Sequence, residues 1–65
     1  MNPDVRIERE GNIFMVEFCS DQAKAWQEEN LETEPYQWLG KRLAVDQHYA
    51  AGIVEQMQQY GLTVT

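Results

Sequence analysis

Nucleophilic catalysis depends on residue types that this chain holds only once each. Cys19, Ser20 and His48 are its single cysteine, serine and histidine. A cysteine or serine nucleophile needs a base within hydrogen-bonding distance, and no spacing in the sequence brings His48 to either of them. Glycine-rich phosphate loops, Cys-x-x-Cys motifs and His-x-x-x-His motifs are absent as well. We therefore predict a protein that is not an enzyme and that binds no cofactor and no metal.

Acidic side chains form the densest charged feature of the sequence. Four glutamates lie close together in its middle third: Glu28, Glu29, Glu32 and Glu34. Their spacing matches no calcium loop, in which oxygen ligands occupy alternate positions around a central glycine. Two interpretations remain open: a solvated segment that keeps the protein soluble, or a docking patch for a basic protein.

Aromatic residues give a second indication of a binding surface. Trp and Tyr are favoured anchors of protein interfaces, and the chain holds two Trp and three Tyr. We assign Trp26 to packing. If Trp38 belongs to one strand with Leu43, it points away from that apolar face, and it then forms a contact patch with Tyr36. Tyr36, Trp38 and the four glutamates are thus the candidate protein-binding residues.

Length and charge restrict the class of protein. A chain of 65 residues makes one small domain, and the stability of such a domain is marginal or is helped by self-association. A homodimer fits this expectation. The 11 acidic residues against 5 basic ones give a formal net charge of −6. That balance disfavours direct binding of nucleic acid, which requires a basic face.

The expected compartment follows from cysteine usage and hydropathy. A lone cysteine forms no internal disulfide, which is typical of reducing compartments. Residues 1–6 lack the basic and apolar regions of a signal peptide. No apolar run approaches the roughly 20 residues that span a bilayer. We expect a cytoplasmic protein without membrane contact, of a size and acidity that fit the short proteins of bacteria and phages.

Alternating apolar and charged residues predict an amino-terminal β-hairpin over residues 5–18. Gly11 and Asn12 form its two-residue turn, because both residue types tolerate a positive φ. On the mixed face this turn places Arg6 opposite Glu17. On the apolar face it sets three pairs: Val5 with Phe18, Ile7 with Val16 and Arg9 with Phe14.

Capping residues predict two helices. Ser20 is suited to begin a short helix that ends near Asn30. Asp46 is suited to begin a longer helix, from Gln47 to Tyr60, whose carboxyl end Gly61 caps. The apolar stripe of this second helix has the spacing of one buried helix face: Ala50, Ile53, Val54 and Met57.

Residues 35–45 admit two interpretations. As a helix opened by Pro35, they would continue the apolar stripe of the final helix. As a strand, they would alternate apolar and polar side chains. Asp46 favours the strand, because a continuous helix would place this carboxylate within its own apolar stripe. We therefore predict a short strand near Arg42–Val45, and residues 62–65 have the composition of an edge strand.

These elements predict an α+β domain of ββα(β)α order, in which the amino-terminal hairpin packs against two helices. The function predicted first is binding of another protein without catalysis, in an accessory or interaction role. The alternative is an acidic inhibitor, encoded by a phage or prophage, that imitates nucleic acid and occupies the binding cleft of a DNA- or RNA-binding protein.

Overall fold

Two β-hairpins, each followed by a helix, make up the chain. The computed structural model describes residues 2–65. Met1, the first residue of the segment without signal-peptide features, lies outside the described residues. The elements in chain order are β1 (Val5–Glu10), β2 (Ile13–Phe18), α1 (Asp21–Asn30), a single 3₁₀ turn (Pro35–Gln37), β3 (Trp38–Leu39), β4 (Arg42–Asp46) and α2 (Gln47–Tyr60). The predicted α+β class is confirmed.

The four strands form one antiparallel sheet in the order β1-β2-β4-β3. The predicted register of the first hairpin is confirmed at every pair, from Val5 opposite Phe18 to Glu10 opposite Ile13. The third strand predicted near Arg42–Val45 is β4. It pairs with β2 on one side and with β3 on the other. The two-residue strand β3 was not predicted, because two residues show no measurable alternation.

The two halves of the chain repeat one structural unit, although the sequence shows no repeat. Each hairpin turns through two residues that begin with a glycine of positive φ, 61° at Gly11 and 65° at Gly40. Each helix begins with a side-chain cap. Ser20 Oγ accepts from Ala23 N at 3.0 Å, and Asp46 Oδ1 accepts from Tyr49 N at 2.8 Å. The units meet where β2 pairs with β4.

Both helices pack on the same face of the sheet. The strand side chains of that face and the buried residues of α1 and α2 form one apolar cluster. Leu43 and Met57, each with no exposed surface, are its two largest fully enclosed side chains. Of the predicted α2 stripe, Ala50, Ile53 and Met57 are buried and Val54 is partly buried. Within residues 2–65 no helix is long and apolar enough to cross a membrane.

Among the described residues, no helix packs on the opposite face of the sheet. Met15 lies on it and is only 2% exposed, which the alternating pattern did not predict. Arg42 Nη1 donates to Glu8 Oε2 at 3.2 Å. Because Glu8 is on β1 and Arg42 on β4, this ion pair crosses the intervening β2 beside Met15. The aliphatic and charged side chains of its neighbours thus enclose the methionine.

The carboxyl terminus returns to the edge of the sheet. Gly61 ends α2 in the left-handed conformation, with φ of 105°, as predicted. Val64 then forms a parallel bridge with Val5, so the expected edge strand is present as a short pairing. Asp4 Oδ2 accepts from Thr63 N at 2.8 Å. This bond, followed by the hydroxyl of Ser20, lowers the pKa of Asp4 below its usual value.

Candidate interaction surface

The single thiol and the single imidazole lie in different parts of the surface. Cys19 is half-buried after β2, with its Sγ 3.6 Å from the carbonyl oxygen of Glu17. It lines a cleft with Lys24 and Lys41. His48 is exposed in the first turn of α2 and lines a separate cleft. In the part of the chain that the structure describes, no three metal-binding side chains cluster.

The four candidate glutamates lie along the carboxyl end of α1 and the connection that follows. We call residues 28–34 the acidic segment. Glu28, Glu29, Glu32 and Glu34 are all exposed. Among residues 2–65 the one ion pair within 4.0 Å joins Arg42 to Glu8, so none of the four forms an ion pair at that distance. The segment therefore presents its negative charge to solvent.

Hydrogen bonds hold this acidic segment at both of its ends. Leu31 N donates to Gln27 O at 2.9 Å, and the Leu31 side chain packs against the core. The indole Nε1 of Trp38 donates to Thr33 Oγ1 at 3.0 Å. Glu34 N donates to Gln37 Oε1 at 2.7 Å. Glu34 and Gln37 form a capping box at the start of the 3₁₀ turn, so the segment is anchored at both ends while Glu28, Glu29 and Glu32 extend into solvent.

Trp38 occupies the face opposite to the one expected from the sequence. It pairs with Leu43 in the sheet and packs against the core from that same face. Its ring centroid lies 6.2 Å from that of Phe18. The expectation was wrong because it treated residues 38–45 as one strand. The turn at Gly40 and Lys41 separates β3 from β4 and sets a new alternation in β4.

Tyr36 is left as the exposed aromatic residue of the predicted pair. It is 78% exposed in the 3₁₀ turn, directly after the acidic segment. Trp38 is half-buried two residues later. The structure therefore does not combine Tyr36 and Trp38 into one flat patch. It leaves Tyr36 exposed two residues after Glu34, and it joins the Trp38 indole to Thr33 of the acidic segment.

A cleft of about 340 Å³ separates the end of α1 from α2. We call it the interhelix cleft. Tyr49, which is 41% exposed, stands on its α2 side. Gly52 leaves a gap in the same wall. The residues that line it are Asn30, Leu31, His48, Tyr49, Gly52, Ile53 and Gln56. Because Asn30 and Leu31 lie between Glu29 and Glu32, the cleft opens beside the acidic segment.

A second groove, of about 440 Å³, follows the other side of α2. Ile7 and Phe14 of the first hairpin form its floor, and Ala51 and Val54 of α2 form its wall. This groove was not predicted from the sequence. One feature of the sequence pointed to it: the apolar stripe of α2 includes Val54 in addition to the three residues that are buried against the sheet.

Comparisons with protein-family models, with curated proteins and with solved structures found no match. The interpretation of this surface therefore depends on its own geometry and charge.

Proposed function

We propose that this protein is a small, non-catalytic interaction protein that binds a basic protein through its acidic segment and Tyr36. A cytoplasmic setting fits its lone cysteine. One observation carries the proposal. Four exposed glutamates, none of which forms an ion pair within 4.0 Å among the described residues, lie on a segment that hydrogen bonds anchor at both ends.

A merely solubilising segment needs no such fixation. Charged side chains keep a protein soluble wherever they are exposed, including on a mobile loop. Binding differs, because ordering a mobile loop on association costs free energy. A segment already held by Trp38 and Gln37 avoids part of that cost. This fixation supports docking over solubility as the role of the segment.

The end of α1 supports a basic partner in particular. Backbone dipoles give a helix a partial negative charge at its carboxyl end, which favours cations. The last turn of α1 has no basic residue and instead carries Glu28 and Glu29. The helix dipole and the glutamates thus repel each other in the free protein. Lysine or arginine side chains from a partner would relieve that repulsion.

A capture experiment with two charge-matched variants tests the proposal. The segment variant replaces the four glutamates of the acidic segment with glutamine. The control variant replaces the other four glutamates of the chain with glutamine: Glu8, Glu10, Glu17 and Glu55. Each variant loses four negative charges. Immobilised wild type and control variant should retain the same proteins from an extract of the source cells, and the segment variant should not.

Salt and added nucleic acid refine the result. The retained proteins should elute below about 0.5 M salt, because screening shortens the range of surface electrostatics to a few ångströms. If DNA or RNA displaces the protein from them, they are nucleic-acid-binding proteins and the inhibitor alternative is supported. Equal retention by the segment variant and the control variant would contradict the proposal.

A further inference from the structure

Gly52 lies in the middle of α2, where neither close packing nor backbone conformation requires a glycine. Glycine at an interior helix position destabilises the helix relative to alanine. Its usual justification is close packing, yet a Cβ at Gly52 would meet no atom within 4 Å, and the residue is exposed. Its φ is not in the left-handed range that requires glycine. The missing side chain leaves space only on the interhelix cleft.

The walls of the interhelix cleft suit a cation with an aliphatic stem. The Tyr49 ring offers an aromatic surface on one side, and Leu31 and Ile53 offer apolar surface at the base. Asn30 brings the negative end of the α1 dipole to the opposite side. Glu29 and Glu32 flank the two α1-side residues in sequence. Arginine combines an apolar stem with a planar cation that stacks on aromatic rings.

We propose that the interhelix cleft receives an arginine side chain of the basic partner. The inference rests on the proposed function and adds to it the residue that the partner inserts. The guanidinium lies between the Tyr49 ring and the end of α1, and the space at Gly52 admits its stem. Charge complementarity selects this occupant, because Asn30 and Leu31, which line the cleft from the α1 side, belong to the acidic segment.

A nuclear magnetic resonance titration with small peptides tests the inference. The ¹⁵N-labelled full chain is titrated with Gly-Gly-Arg-Gly-Gly and with the same peptide carrying neutral citrulline. The arginine peptide should shift the amide signals of Asn30, Tyr49 and Gly52, and the citrulline peptide should shift them far less. Equal shifts with both peptides, or no shift at these amides with arginine, would overturn the assignment.

Substitutions in the cleft provide the second measurement. Tyr49→Ala should lower the affinity for the arginine peptide by about two- to fivefold, which is the effect of one exposed cation–π contact. Tyr60→Ala, at the end of the same helix and 59% exposed, should leave binding unchanged. Gly52→Gln should fill the gap and weaken binding by at least about tenfold, while Ala51→Gln, on the side of the other groove, should not.

The segment variant separates failure of this inference from failure of the proposed function. Suppose that the arginine peptide shifts amide signals of residues 28–36 and that its affinity is unchanged by Tyr49→Ala and Gly52→Gln. The acidic segment then binds cations, and the cleft assignment is wrong. If the segment variant binds the peptide as well as the wild type does, the proposed function is contradicted.

Gly52→Ala adds a test on the free protein. It should raise the melting temperature, whereas a lower one would show that glycine serves the fold.

Discussion

The hydrogen bond from Trp38 Nε1 to Thr33 Oγ1, at 3.0 Å, is the contact that ties the acidic segment to the sheet. Thr33→Val keeps the shape of the side chain but leaves a partly buried indole N–H without its acceptor. We expect a loss of about 1 kcal/mol in the free energy of unfolding. Hydrogen exchange at residues 31–37 should also quicken, because the segment is then free to open.

The double variant with Trp38→Phe is the control for that prediction. Phenylalanine keeps a ring against Phe18 but has no N–H to donate. In the Trp38→Phe background, Thr33→Val should therefore cause little further loss in the free energy of unfolding. Urea unfolding of the single and double variants measures these losses. Fully additive costs would show that the hydrogen bond does not stabilise the segment.

Asp4 gives the protein a predictable response to acid. The backbone N–H of Thr63, and after it the Ser20 hydroxyl, lower the pKa of this carboxylate below 3.8. A group whose pKa is lower in the folded state stabilises the fold above its unfolded pKa. That stabilisation disappears as the pH falls through the folded value.

Asp4→Asn should therefore lower the melting temperature at pH 7 and change it less at about pH 2, because protonation of Asp4 progressively removes the difference in charge as the pH falls. Thermal unfolding followed by circular dichroism at the two pH values checks the difference. A difference between wild type and variant that is the same at both pH values would contradict the role assigned to the charge.

At the scale of elements, Gly40 and Gly52, two of the exposed glycines, should respond oppositely to alanine. Gly40 has a φ of 65°, and an added Cβ would meet nothing within 4 Å. The cost of Gly40→Ala is then the left-handed backbone itself, about 1–2 kcal/mol. Gly52→Ala should stabilise the protein by about 0.5–1 kcal/mol through helix propensity. Chemical unfolding measures both, and equal signs would refute the comparison.

The elements that depend on local signals are the ones that could be predicted from the sequence. The first hairpin follows from alternation and a Gly-Asn turn, and α2 follows from Asp46, an apolar stripe and Gly61. These signals lie within a few residues of what they determine. The order of the strands in the sheet could not be predicted from such signals. It depends on which later strand pairs with β2, and α1 separates β2 from those strands in the chain.

The candidate site was predictable only in part, for a related reason. Exposure of the four glutamates follows from their charge, and the structure agrees. The face of Trp38 depends on whether Gly40 and Lys41 continue a strand or reverse it, and both choices satisfy the local pattern. The interhelix cleft joins Asn30 to Gly52, and no sequence pattern reports that contact between two helices.

At the scale of the whole molecule, a single small core limits stability. A domain of 65 residues has about 3–10 kcal/mol of net stability at typical values per residue. Leu43 has no exposed surface and lies in β4, between β2 and β3. Leu43→Ala should cost about 2–5 kcal/mol. Circular dichroism at 37 °C should show substantial unfolding, and an unchanged melting temperature would contradict this description of the core.

The homodimer expected from the small core stays a prediction. Light scattering at low and at high salt measures the mass of the particle directly. A mass twice that of the chain at both salt concentrations would support self-association through apolar surface. A monomer at both would contradict it and would leave the acidic segment free for a different protein.

In the proposed function, the position of the acidic charge, and not its amount, creates the binding surface. The most direct test is the affinity of a fluorescent hexa-arginine peptide for the wild type, the segment variant and the control variant at about 0.15 M salt. At that ionic strength charges act over about 8 Å, so distant glutamates contribute little. We predict at least a tenfold loss for the segment variant and less than about a twofold loss for the control variant. Equal losses in the two variants would contradict the claim.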